Sequence, residues 1–212
     1  MKLLIILSIL YAQAYGECSL WGIDPVPKPF IVDCNGTSPD KSDFLNSYNE
    51  NKPFDFVTRF YWKNFKGELN SDMLKTLPKL RHVTVSKCEF TTLPDNFFEA
   101  DAETLETIEI RDSKITTIEA NAFKNLKHLR LLSLHGNKNV KGFKLENLRG
   151  CDGLGYIGMP TDTFKTMDVS KLKIWFPKLI TIVLPGEDKE SVKDKIKEVE
   201  SQTTGIGIHF EE

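Results

Sequence analysis

Apolar residues return along this chain in the frame L-x-x-L-x-L at a nearly constant interval, and a period near 25 residues leaves few architectures open. Leu80, Val83 and Val85 fill the frame first, then Leu105, Ile108 and Ile110, then Leu129, Leu132 and Leu134. Leu154, Ile157 and Met159 continue it, and Leu179, Ile182 and Leu184 follow. First positions are therefore 25, 24, 25 and 25 residues apart. Two flanking segments fit less well: Val57, Phe60 and Trp62 before, and Thr203, Ile206 and Ile208 after.

The agreement extends past the strand motif. Phe90, Ile115, Val140 and Phe164 share one offset; Leu93, Ile118, Phe143 and Met167 share the next; Phe98, Phe123, Leu148 and Leu172 share a third. Such a unit is a short strand with alternate residues inward, followed by a returning segment whose apolar side chains meet the same interior. One unit alone cannot bury that face, whereas stacked units can, with their strands forming a parallel sheet inside an arc.

The segments LETIEIRDSKITTIEANAFKNLKH and LRLLSLHGNKNVKGFKLENLRG resemble the extracellular, secreted animal type of leucine-rich repeat family, over roughly residues 57 to 210. The resemblance implies an α/β solenoid with a curved parallel sheet on its concave face and an irregular or short helical convex side. It also implies an N-terminal cap closed by a Cys18–Cys34 disulfide, where the family commonly has four cysteines. A closed loop of about 15 residues is worth roughly 3 kcal/mol. In this family an Asn at the strand end bonds the backbone of adjacent turns. Here only Asn137 supplies it, and Phe65, Cys88, Ser113, Asp162 and Glu187 hold that position in the other units. Those backbone groups then fall to Ser, Asp, Cys or water.

The ends of the chain read differently. In MKLLIILSILYAQAYG, residues 1–16, a Lys precedes an apolar run from Leu3 to Leu10 and then small residues at Ala12, Ala14 and Gly16, the pattern of a signal peptide. The run is too short for the ~20 apolar residues of a membrane span. Cleavage is expected after Gly16, with the bond after Ala14 as second choice, and the destination is extracellular. Residues 17–56 form the cap, 57–187 the repeats, and 188–212 a C-terminal helix and final strand. Val192, Ile196 and Val199 share one face of a helix expected over 188–202. Asn35-Gly36-Thr37 is a glycosylation sequon in a Gly/Ser/Pro-rich turn. Register places Cys88 and Cys151 inward and two to three units apart, beyond the ~7 Å disulfide limit on Cα separation, so both are expected as buried free thiols.

With 28 Lys and Arg against 30 Asp and Glu, no basic excess points to nucleic acid. The motifs HExxH, CxxC and G-x-S-x-G do not occur, nor does a glycine-rich phosphate loop. His82 and His135 fall on the same face two strands apart, too distant to share a metal. The chain is expected to be non-enzymatic, without catalytic residues, cofactor or metal.

Register also lists what faces outward from the concave sheet. One column runs Arg59, His82, Thr107, Leu131, Tyr156, Thr181; the next runs Tyr61, Thr84, Glu109, Ser133, Gly158, Val183; the third runs Lys63, Ser86, Arg111, His135, Pro160, Pro185. The N-terminal half is polar and mostly basic, with Arg81 and Lys87 at its flanks. The C-terminal half is apolar, with Leu131, Tyr156, Pro160, Ile180 and Val183. Apolar residues grouped beside Tyr and Arg have the composition of an interface centre. The expected function is protein binding through this face, with Leu131, Tyr156 and Val183 as anchors. Arg59, Lys63, Arg111 and His135 would steer the partner, and Tyr61 and His82 would complete the surface. Two other classes stay open: a matrix component that buries the apolar half in a homodimer, and a module for acidic glycans or microbial surfaces that uses the basic half.

Overall fold

A computed structural model of the chain describes residues 10–15, 18–23, 30–39, 56–137 and 140–211. Ten strands build one sheet in chain order. They are β1 (Leu10–Tyr15), β2 (Cys18–Ile23), β3 (Phe30–Asn35), β4 (Val57–Lys63) and β5 (His82–Ser86), then β7 (Thr107–Arg111), β9 (Leu131–Ser133), β10 (Tyr156–Gly158), β11 (Thr181–Leu184) and β12 (Gly207–Phe210). A separate pair, β6 (Thr92–Leu93) with β8 (Thr117–Ile118), runs along the far side of two units. From β3 onward neighbours are parallel, while β1, β2 and β3 form an antiparallel cap.

The repeat frame is the pairing register. Phe60 lies beside Val83, Val83 beside Ile108, Ile108 beside Leu132, and the row continues through Ile157 and Ile182. All of these are at most 1% exposed. Strand β5 shows the alternation: Val83 and Val85 buried, His82, Thr84 and Ser86 half-exposed. The far-side residues close the same interior. Phe98 stacks on Phe123 with ring centroids 6.1 Å apart, and Phe123 meets Phe143 edge-on at 6.1 Å. One core thus runs the length of the repeats without a break.

Strands β4, β5, β7 and β9 turn off through a left-handed residue at one fixed offset: Asn64 (φ 52), Lys87 (φ 55), Asp112 (φ 49) and Gly136 (φ 70). Asn, Asp and Gly tolerate that conformation, and Lys adopts it at a cost. At Gly136 a Cβ atom would also sit 2.1 Å from Asp112 Oδ1. The next unit abandons the turn. There Pro160 is followed by helix α1 (Thr161–Thr166), so Asp162 is exposed on a helix and does not take the strand-end role. Helix α2 (Leu172–Trp175) follows on the far side.

The cap cysteines face each other across β2 and β3 and form the Cys18–Cys34 disulfide. Cys88 and Cys151 are buried free thiols. The residues read as a signal peptide are only partly described. Strand β1 lies within them, while residues 1–9 and the expected cleavage site at 16–17 lie outside the described residues.

Two expectations about the C-terminal unit are corrected. The helix expected over 188–202 begins later: Gly186–Val192 is a 3-10 segment and α3 spans Lys193–Gln202. Val192 and Val199 are buried, and Ile196 packs against the core. The final frame is not Thr203, Ile206, Ile208, because β12 pairs Ile182 with Ile208 and Leu184 with Phe210. The frame is Gly205, Ile208, Phe210, displaced because the longer helical return makes this last interval 26 residues.

Candidate functional site

Strand pairing sets the outward columns side by side. Arg59, His82, Thr107, Leu131, Tyr156 and Thr181 are register partners in series. Tyr61, Thr84, Glu109, Ser133, Gly158 and Val183 form the next series, and Lys63, Ser86 and Arg111 begin the third.

The two halves of this face are not as the columns alone suggest. In the N-terminal half three of the five cations are matched. Lys63 Nζ lies 3.1 Å from Asp33 Oδ2, and Arg81 and Arg111 bond the carboxylates of Glu106 and Glu109. The Arg81 guanidinium draws the Glu106 carboxyl below its usual range. His82 is shifted toward its neutral form, first by burial and then by the positive charge of Arg59. The expected basic field is therefore partly cancelled, and Arg111 reaches the solvent already paired.

In the C-terminal half the middle column sinks. Val183 is 8% exposed and Ser133 5%, while Gly158 and Pro160 are also buried. Val183 is not the protruding anchor that its register implied. The column is tightly packed, since a Cβ on Gly158 would lie only 3.1 Å from Ser133 Oγ. Leu131 and Tyr156 remain half-exposed beside this floor. The Tyr156 phenol is pushed up by burial and then by the nearby Glu211 charge, against an opposing pull from Arg111.

The floor opens at the strand ends into a cleft of about 750 Å³, whose lining includes His135, Gly158, Pro160, Val183, Pro185 and Glu211. His135 Nδ1 contacts Glu211 Oε2 across it. Glu211 was absent from the columns because of the misplaced final frame. With Leu184 beside Phe210, the next residues Pro185 and Glu211 fall together, and Glu211 joins the column of His135. Deeper in the cleft the Thr161 hydroxyl donates to Asp188 Oδ2.

Among the described residues no group of three or more His, Cys, Asp or Glu is placed to hold a metal ion. No helix among them is long and apolar enough to cross a membrane.

Residues 68–138 match the family model described as leucine rich repeat. Over 123 residues the chain is 27% identical to chaoptin of Tribolium castaneum, covering 57% of this chain and 16% of that protein. Over 75 residues it is 35% identical to leucine-rich repeat-containing protein 3B of Bos taurus, Mus musculus and Homo sapiens, covering 35% of this chain and 29% of those proteins. The chain thus spans less than a third of the length of these relatives. Among solved structures, that of a TLR13–ssRNA13 complex superposes with a TM-score of 0.50 at 17% identity, over 62% of this chain and 19% of that one. That is a likeness of fold. Residues 68–138 thus carry leucine-rich repeats, and the 25-residue frame and the ordered parallel sheet continue the same solenoid architecture on either side of them.

Proposed function

We propose that the chain is exported from the cell and binds a protein through the C-terminal half of its concave sheet, with Leu131 and Tyr156 as the apolar anchors. The observation that carries this reading is Tyr156, a half-buried aromatic residue at the rim of a recessed floor made by Ser133, Gly158 and Val183. An aromatic side chain beside a depression is the usual centre of a binding hot spot, because it buries much area at low entropic cost. His135 and Glu211 would border the occupant with polar contacts. Arg59, Tyr61, Lys63 and His82 would belong to the periphery.

Export is supported by the signal-like segment at residues 1–16 and by a disulfide in the cap, which persists in oxidising compartments. The acidic-glycan reading draws on Arg59, Lys63, Arg81, Lys87 and Arg111, and three of these five already face a carboxylate. That leaves it little free charge. Self-association through the apolar half remains an outcome of the test.

The test is capture of extracellular binding partners by the wild-type chain and by Leu131→Ala/Tyr156→Ala, alongside light scattering of the purified chain at low and high salt. Loss of a captured protein with the double variant supports the reading. Identical capture by both would overturn it, and a salt-insensitive dimer broken by the same variant would replace the partner with a second copy.

A further inference from the structure

We infer that the sequon at Asn35 puts its carbohydrate on the concave face, over β4 and β5, and thereby closes the N-terminal half of that face to a macromolecular partner. The inference rests on the export reading, since only an exported chain meets the glycosylation machinery. Its own basis is register. Strand β3 pairs Ile31 with Arg59, Asp33 with Tyr61 and Asn35 with Lys63. Val32 and Cys34 are fully buried, so the alternation of the strand sends Ile31, Asp33 and Asn35 to the opposite side, the side of Arg59, Tyr61 and Lys63. The contact between Lys63 Nζ and Asp33 Oδ2 at 3.1 Å shows the two strands presenting side chains to one face.

The acceptor itself is well placed. Asn35 is exposed, and the chain turns immediately after it through Gly36 at φ 81, whose N–H donates to Lys63 O at 2.8 Å. Asn64 Nδ2 donates to Asn35 Oδ1 at 2.8 Å, which occupies the carbonyl oxygen and leaves Nδ2, the atom that is glycosylated. The bond forms between Nδ2 and C1 of the first sugar. That sugar leaves a lipid-linked pyrophosphate donor, and Nδ2 gives up one proton. Strands are ~4.8 Å apart, so a core glycan of several sugars anchored on β3 reaches across β4 and β5. Strand β9, with Leu131, lies four strands away, roughly 19 Å along the sheet. A glycan at Asn35 therefore divides the face: carbohydrate over Arg59, Tyr61 and Lys63, and open protein surface at Leu131 and Tyr156.

The experiment uses the full chain expressed in animal cells as wild type, Asn35→Gln and Thr37→Ala. Removal of N-glycans should lower the mass of the wild-type protein in the medium by one glycan and leave both variants unchanged. Acylation of Lys63 with an amine-reactive ester, read by mass spectrometry, should be several-fold slower in the glycosylated wild type than in either variant. Lys124, exposed on the far side of its unit, should react equally in all three. A secreted wild type that carries no glycan overturns the site, and equal Lys63 rates overturn the screening. Retention of all three chains inside the cell overturns the export reading and the inference with it.

Discussion

The carboxamide of Asn137 reaches back one unit and accepts the N–H of Ser113 at 3.0 Å, and Ser113 Oγ in turn accepts the N–H of Cys88 at 3.1 Å. Nδ2 of Asn137 donates to the carbonyls of Ile110, Leu134 and His135 at 2.7 to 3.1 Å. The thiol of Cys88 donates to Ser86 O and Trp62 O at 3.4 and 3.8 Å. Three chemically different side chains at one offset thus tie successive strand ends together, and the full Asn is needed only once. Asn137→Ala strips partners from several buried backbone groups at once, each costing about 1 to 3 kcal/mol. The expected loss is about 2 to 4 kcal/mol in urea unfolding, against about 1 for Ser113→Ala. A loss for Asn137→Ala below that of Ser113→Ala would contradict the ladder.

Lys87 occupies the left-handed turn position that Asn64, Asp112 and Gly136 fill in neighbouring units. Its exposed side chain has no partner among the described residues to offset the backbone cost. Lys87→Asn should therefore stabilise the protein by about 0.5 to 1 kcal/mol. A measured decrease in the unfolding midpoint would show that Lys87 makes a compensating contact.

Much of this molecule is legible in the sequence because the repeat does the work of a sheet diagram. Leu80 to Leu184 give the inward rows, and the same arithmetic lays out the outward columns. It fails where an interval departs from about 25 residues. One long helical return moved the final frame by two residues, which hid Glu211 from the column of His135. Periodicity also assigns a direction to a side chain but not its exposure. Val183 and Pro160 stand in outward columns and are still buried, because both line the cleft whose walls rise around them. Nor does a column reveal pairing within it or along a strand, as Arg111 with Glu109 shows. Asp101 lies on the returning segment, where an acidic residue in a polar run looks solvent-facing.

The two free thiols make a direct check on burial. Burial raises the pKa of Cys88, and it raises that of Cys151 to about 12 with help from the neighbouring Asp152 charge. Alkylation requires thiolate and access, and both are missing in the folded state. Iodoacetamide near neutral pH should label no cysteine in the native protein, two after unfolding in urea, and four after reduction in urea. Rapid labelling of Cys88 in the native chain would mean that the strand ends open around it.

Asp101 couples folding to pH. It is 1% exposed, its Oδ1 accepts the N–H of Leu80 at 2.8 Å, and its Oδ2 has no partner among the described residues. Burial raises its pKa to about 8, although the Leu80 bond and the Lys79 charge pull the other way. In the unfolded chain an aspartate titrates near ~3.9. Between those values the folded state holds a proton that the unfolded state has lost, so unfolding free energy falls as pH rises. The contribution is fully present below the unfolded value, declines through the interval and is gone above about 8. Asp101→Asn keeps the acceptor for Leu80 and removes the titration. The variant should therefore gain on the wild type as pH rises, by more than about 1 kcal/mol between roughly pH 5 and pH 8 in urea unfolding. If the two proteins instead lose or keep stability in parallel across that range, the Asp101 carboxyl is ionised in the fold and must find a partner for Oδ2.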